Sequence, residues 1–340
     1  MSLREIARRS RFCLQYWRKH LKEARVVGAH GVGFSQPIKD IANGFFPITA
    51  HELRSIHGDL DGLITSLQYE RYLTGMNGRF AVMLDNKEAF GKLVSTAGIE
   101  TPENFCVFRA GRILWNENGQ ERLRQTLEKT GRFIIKPTNG KQGKGVKICR
   151  DLADLKKHDG FDAVVTSFVF QADYAKAIYE PSLNTIRVLM LRDRDNRPVP
   201  LRAFHRFGTL KSGSIDNLSA KGISASVDIE SGALGKAAVR NEQGRMDLLD
   251  QHPDTGSQIS GVQIPDWDLA LKMVEDLGNA FPFLTFVGWD LAMTPEGPTV
   301  IEGNSHPTIW AMQYYDRYIA DDQIRGLFSQ YIPNLEPTRL

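Results

Sequence analysis

The stretch FVGWDLAMTPEGPTVIEGN carries the most specific chemistry in the sequence. Trp289, Leu291 and Met293 alternate with Asp290 and Ala292. Beyond a Pro-Glu-Gly turn, Ile301 alternates with Glu302, and Asn304 follows two residues on. Strand side chains alternate between faces, so Glu302 and Asn304 share one. A three-residue loop of Pro295, Glu296 and Gly297 would pair Thr294 with Pro298 and set Asp290 opposite Glu302. Trp289, Leu291, Met293 and Ile301 then face a core. Two carboxylates and an amide oxygen on one face suit Mg²⁺, which takes carboxylates, phosphate oxygens and water. The plainer reading is a polar sheet face. Opposed Asp and Glu destabilise a hairpin, however, unless a positive charge lies between them.

A second set of residues suits phosphate. RFIIKPTNGKQGKGVKI ends an apolar run at Lys136, and Gly143, Lys144 and Gly145 follow before another strand. Backbone N–H groups in a Gly-rich turn form a concave anion site, and Lys adds a point charge. The loop is followed by a strand, so it is neither a P-loop nor a Rossmann fingerprint. Arg187 lies in the apolar strand TIRVLML, and Arg202 and Arg206 lie in LRAFHRFG. A half-buried guanidinium needs a phosphate, a carboxylate ligand or an internal ion pair. Asp216, Asn217, Lys221 and Gly222 follow in a long polar loop of the kind that builds substrate sites. His205 and His306 have no nucleophile near them in sequence, and neither GxSxG nor HExxH occurs, so serine and zinc hydrolase chemistry finds no support.

Elements must position these groups. The pattern predicts a basic amphipathic helix over 3–25 and further helices to about Gly98, with Thr49 and Glu52 as a capping box. Strands then alternate with helices near 119–130 and 266–281, and a helical tail runs from about Met312 to Tyr331. Hairpins among the strands point to α+β rather than a doubly wound parallel sheet. The expected organisation is a mainly helical region over 1–100, a small subdomain over 101–165 with the Gly/Lys loop, and a large one over 166–340 with the metal and acceptor residues.

The 340 residues, 41% hydrophobic and 24% charged, exclude a disordered or low-complexity chain. Cys13, Cys106 and Cys149 are too scattered for a zinc or disulfide pattern, which fits a reducing cytoplasm. Residues 1–25 hold eight basic and two acidic side chains, while the whole chain carries only +3. The body is therefore no nucleic-acid surface, and the basic helix allows peripheral contact with an anionic membrane.

Together, LDNKEAFGKLVSTAGIETP, FIIKPTNGKQGKGV, SLNTIRV, IDNLSAKGISASVD and GWDLAMTPEGPTVIEGN resemble the ATP-grasp superfamily, nearest to its sugar-transfer-associated, glutamate-ligase-like members. The resemblance runs from about residue 50 to 310. It implies an ATP-grasp fold, two α+β subdomains clasping ATP. Lys87, Lys136 and the loop through Gly143, Lys144 and Gly145 would contact phosphates. Thr166, Ser167, Phe168 and Val169 would pass the adenine. Asp290, Glu302 and Asn304 would hold Mg²⁺, as two ions bridged by Glu302. Arg187, Arg206 and Lys136 would steady the transferring phosphoryl group. Asn184, Asp216, Asn217 and Gly222 would line the acceptor side. The implied function is an ATP-dependent carboxylate–amine ligase working through an acyl phosphate on small-molecule carboxylate and amine substrates. A small-molecule or sugar kinase, or a non-catalytic nucleotide-binding protein of glycan assembly, are the alternatives. Thr166-Ser167 where a Glu is common, and Lys221-Gly222 where Gly-Gly is usual, depart from the family pattern.

Overall fold

The computed structural model describes residues 20–335 except 34, 141, 142, 157, 159 and 160. Most of the expected helix 3–25, and Cys13, lie outside the described residues; residues 20–27 are helical. No helix among the described residues is long and apolar enough to cross a membrane. The chain divides into two compact units. One takes the described part of Met1–Thr74 with Ala238–Leu248 and the described part of Ile309–Leu340; the other takes Gly75–Ala237 with Leu249–Thr308.

The first unit is mainly helical. Its helix Pro47–His57 begins one residue after Phe46, with Pro at the first position, where the missing N–H costs nothing. Thr49 and Glu52 therefore lie inside that helix and form no capping box. The capping box belongs to Thr65 and Gln68 instead. Glu52 is buried, accepts a 2.6 Å hydrogen bond from Tyr314 Oη and pairs with Arg240. Burial raises its carboxyl above the usual range, more than Arg240 lowers it. In place of one helical tail, two short helices form, Trp310–Gln313 and Asp322–Phe328.

The second unit holds a five-stranded sheet and most of a seven-stranded one. The first has the order β2-β1-β5-β3-β4, with β1 Asn104–Arg109, β2 Arg112–Trp115, β3 Phe133–Pro137, β4 Lys147–Cys149 and β5 Ala163–Ser167. Its core joins Phe105, Phe133, Ile135, Cys149 and Val165 to Leu123. Leu123 comes from the helix Gly119–Thr130, which stops at Gly131 in the left-handed region, as a C-terminal glycine allows.

The second sheet has the order β10-β9-β8-β7-β6-β11-β12. Its strands are β6 Ile186–Arg192, β7 Pro198–Phe207, β8 Ile223–Val227, β9 Leu234–Arg240, β10 Met246–Leu249, β11 Phe286–Thr294 and β12 Gly297–Asn304. The helix Trp267–Ala280 buries Trp267, Ala270, Val274 and Leu277, an i, i+3, i+4 stripe. β8, β9 and β10 follow the polar loop that carries Asp216 and Lys221. The observed fold is α+β.

Candidate active site

The β11–β12 hairpin reaches the expected pairing by a different route. Thr294 pairs with Gly297, so the turn has two residues, Pro295 and Glu296, not three. The resulting one-residue slip is cancelled by a bulge: Leu291 pairs with Val300 and Asp290 with Glu302, leaving Ile301 between them. Ile301 is partly exposed in that bulge rather than sealed in the core, whereas Trp289, Leu291 and Met293 are buried.

Register then carries the same face across neighbouring strands. Asp290 pairs with Arg187 on β6, and Arg187 with Phe204 on β7, two residues before Arg206. A period of two puts Arg206 on the face of Arg187. Asn304, Glu302, Asp290, Arg187 and Arg206 therefore share one face over four adjacent strands.

The charges on this face are locked together. Arg187 Nε and Nη2 grip both oxygens of Asp290, the second at 2.9 Å. Arg206 Nη2 lies 2.9 Å from Asp290 Oδ2, and the Asn304 amide donates to the same oxygen at 3.2 Å. Burial alone would raise the Asp290 carboxyl; Arg187 and Arg206 outweigh it and hold the group well below the usual carboxylate range. Gly288 makes this possible, because a Cβ there would meet Arg187 Cδ at 2.8 Å. Arg187 and Arg206 are only 7% and 8% exposed, yet their Nη1 atoms have no partner among the described residues and are not sealed off.

A helix and the strand β3 bring Lys87 and Lys136 to the Glu302 end of this face. Lys87 opens the helix Lys87–Thr96, which Asn86 caps through Ala89 N. Its Nζ reaches Glu302 Oε2 at 3.2 Å and Gly140 O at 2.8 Å. Burial lowers the Lys136 ammonium to about 8, Lys87 pushes the same way, and Glu302 opposes them. The positive charge that opposed carboxylates require thus comes from lysines and arginines of the chain. Gly143 and Gly145 have φ of +70° and +79°, a conformation glycine adopts without strain. A Cβ on Gly143 would lie 3.4 Å from Ile215, so the Gly/Lys loop meets the Asp216 loop. Lys144 is exposed.

Other expected site residues are placed differently. Asn184 is 1% exposed, and its amide is spent on Ala175 O, Tyr179 O and Ser182 Oγ. Asn217 caps a short 3₁₀ turn through Ser219 N. Gly222 is tight, since a Cβ would meet Asp216 O at 2.6 Å. Asp216 is turned onto Thr185 and Arg206. Thr166 and Ser167 end β5, with Ser167 Oγ taking Glu103 N–H. Phe168 carries the Arg132 guanidinium 4.7 Å from its ring centre, and β5 stops before Phe168 and Val169. His205 is buried at Phe207 and Tyr174, and burial pushes its imidazole down to about 3. Gly288 and Thr185 were missed in sequence. A glycine within an apolar strand, and a threonine two residues before a buried arginine, were the available signals.

The chain matches the sugar-transfer associated ATP-grasp family over residues 67–160 and 152–321, and it belongs to that family. Its α+β fold is therefore an ATP-grasp fold. None of the curated proteins matches it in sequence. Among solved structures, D-alanine–D-alanine ligase from Bacillus anthracis complexed with ATP is 14% identical, with a TM-score of 0.42 over 74% of this chain and 66% of that one. N5-carboxyaminoimidazole ribonucleotide synthetase from Thermotoga maritima is 12% identical, with a TM-score of 0.34 over 65% of this chain. The ATP-grasp ligase PsnB complexed with a precursor peptide and AMPPNP is 13% identical, with a TM-score of 0.36 over 70% of this chain and 55% of that one. The chain spans only 41% of the Thermotoga enzyme and 45% of its Staphylococcus aureus counterpart.

Proposed function

We propose that the chain is an ATP-dependent carboxylate–amine ligase that works through an acyl phosphate. One observation carries the nucleotide end: Lys87, Lys136, Arg187 and Arg206 converge on three carboxylates, and the two buried arginines keep Nη1 open. Four cations against three carboxylates leave the cluster short of negative charge, which a polyphosphate supplies. The five-stranded sheet would be the small clasping subdomain over 101–165 and the seven-stranded sheet the large one over 166–340, behind a helical region over 1–100.

Mg²⁺ would draw on Glu302 and on Asn304 Oδ1, which no donor among the described residues reaches. Asp290 would join them only by giving up an arginine contact, since Arg187, Arg206 and Asn304 hold both its oxygens and no ready-made cluster of metal-binding side chains occurs among the described residues. Mg²⁺ commonly takes one or two carboxylates with phosphate oxygens. Bound there, it would neutralise charge on the transferring phosphoryl group. Glu302 would bridge two such ions. Lys87 and Lys136 would hold phosphates, with the backbone through Gly143, Lys144 and Gly145 covering them. The end of β5 at Thr166 and Ser167, with Phe168 and Val169, would pass the adenine. Gly222 and Asn217 would shape the acceptor side.

In the reaction, a substrate carboxylate oxygen attacks the γ-phosphorus and ADP leaves. An amine nitrogen then attacks the acyl carbon, phosphate leaves, and the amine gives up a proton. Arg187 and Arg206 would stabilise the charge that develops at phosphorus. The resemblance to glutamate-ligase-like proteins supports this reaction.

The test is incubation with Mg²⁺-ATP, pooled amino and sugar acids, and hydroxylamine, followed by phosphorus NMR. ADP, phosphate and a hydroxamate are expected, and Glu302→Ala should lower turnover by roughly 100-fold or more. A stable organic phosphate would make the chain a kinase. AMP with pyrophosphate, or unchanged turnover in Glu302→Ala, would overturn the assignment. Nucleotide binding without turnover would favour a binding protein.

A further inference from the structure

We propose that Thr185 and Asp216 are positioning residues, which fix the Arg206 guanidinium so that Nη1 is its only open edge. The inference rests on the ATP reading above and reassigns Asp216 from the acceptor side. Arg206 has only donors, so Thr185 Oγ1 must accept from Nε at 3.0 Å and from Nη2. The hydroxyl proton then has one direction left, Asp216 Oδ2 at 2.5 Å. The same carboxylate oxygen accepts Thr185 N–H at 2.9 Å and lies 3.5 Å from Arg206 Nε. The backbone repeats the link, with Arg206 N–H donating to Thr185 O at 2.8 Å.

Arg206 is thus held on one flank by Asp290 and on the other by Thr185 and Asp216. Nε and Nη2 both have partners, Thr185 and Asp290, and among the described residues Nη1 alone is left without one for an incoming anion. Thr185 is 5% exposed, so no water can replace its hydroxyl without rearrangement. A guanidinium fixed this way costs little ordering when phosphate arrives. Its effect should fall on the terminal phosphate, since Arg187 and Arg206 flank the Asp290 carboxylate while Lys87 and Lys136 serve the other end of the cluster.

The probes are Mg²⁺-AMPPNP and Mg²⁺-ADP, titrated calorimetrically into the full chain. The native protein should bind AMPPNP more tightly. Thr185→Val, which keeps the branched shape and removes the hydroxyl, should cut that preference by about tenfold, the effect of one lost charge-assisted hydrogen bond. Its ADP affinity should stay within about twofold, and Thr185→Ser should restore the preference. In ¹⁵N spectra the Arg206 Hε should exchange slowly in the native protein and in Thr185→Ser, and rapidly in Thr185→Val. A folded Thr185→Val protein with the full preference and a slow Arg206 Hε would overturn the positioning role while the ATP reading stood. A native protein that binds neither nucleotide would overturn both. Should Thr185→Val lose its native spectrum, Asp216→Asn takes its place and is read by the same two outcomes.

Discussion

The two ends of the candidate site are built differently. At Asp290, side chains from four adjacent strands are cross-linked, Asp290, Arg187 and Arg206 are buried, and the Asp290 carboxylate alone has three partners. At Gly143–Gly145, the backbone is exposed, and the strand that follows, β4, has three residues with Ile148 49% exposed. One end is fixed before any ligand arrives; the other has little buried surface to hold one conformation. A phosphoryl group gains most where donors are already in place. A loop that must admit and release a nucleotide gains from the opposite arrangement.

The largest effect that could break this contrast is on stability. Asp290→Asn keeps the shape and removes the charge that two buried arginines share. Breaking such a buried network should cost about 3–5 kcal/mol, against about 0.5 kcal/mol or less for Lys144→Ala in the exposed loop. Urea denaturation of both variants measures the difference. Equal, small costs would mean that the Asp290 end is no more fixed than the loop.

This contrast was only partly legible in sequence. The alternation of Asp290, Glu302 and Asn304 with Trp289 and Leu291 showed the shared face, because burial enforces it. The register was right for a wrong reason. A two-residue turn and a bulge at Ile301 offset each other, and no residue in PEGPTVIEG announces a bulge. The arginines were visible as cations in apolar strands, but their partners depend on strand order, which one sequence does not display. β8 is hard to tell from loop in the sequence, because ISASV alternates small polar residues with apolar ones and serine is as common in loops as on a half-buried strand. Asn184 looked like a ligand because a buried, satisfied amide and a ligand amide have the same letter. The nucleotide and acceptor roles came through resemblance, not through spacing.

A second prediction concerns pH and lies at the junction of the two ends. Lys136 has its ammonium near 8, below the ordinary 10.5. Between these values the unfolded chain binds more protons than the folded one, so stability rises with pH across about 8 to 10.5 and is lowest, for this group, below 8. Phosphate needs the charged form. Nucleotide affinity should therefore be flat below about pH 8 and fall by up to about tenfold per unit above it, with proton uptake on binding. Calorimetry in buffers of different ionisation enthalpy reads that uptake directly. Affinity unchanged up to pH 10 would remove Lys136 from the phosphate contacts and leave the Asp290 end to act without it.

The smallest expected effect sharpens the contrast from the side of the backbone. In the Gly/Lys loop the left-handed positions at Gly143 and Gly145 are glycines, whereas the Asp216 loop puts Lys221 there, with φ +72°. That conformation follows from the 3₁₀ turn Leu218–Ala220, which Lys221 N–H closes on Leu218 O while Lys221 O accepts from Thr209 Oγ1 at 2.8 Å. A side chain there costs about 1–2 kcal/mol, and glycine would return about half of it to unfolded-state entropy. Lys221→Gly should raise stability by about 0.5–1 kcal/mol, read as a higher urea midpoint at unchanged slope. Weaker Mg²⁺-AMPPNP or substrate binding in the same variant would mean that the lysine charge is kept at the expense of backbone strain. No gain in stability would mean that the loop around Asp216 is as yielding as the one around Gly143, and the division into a fixed end and an adaptable end would then fall between Arg206 and its own clamp.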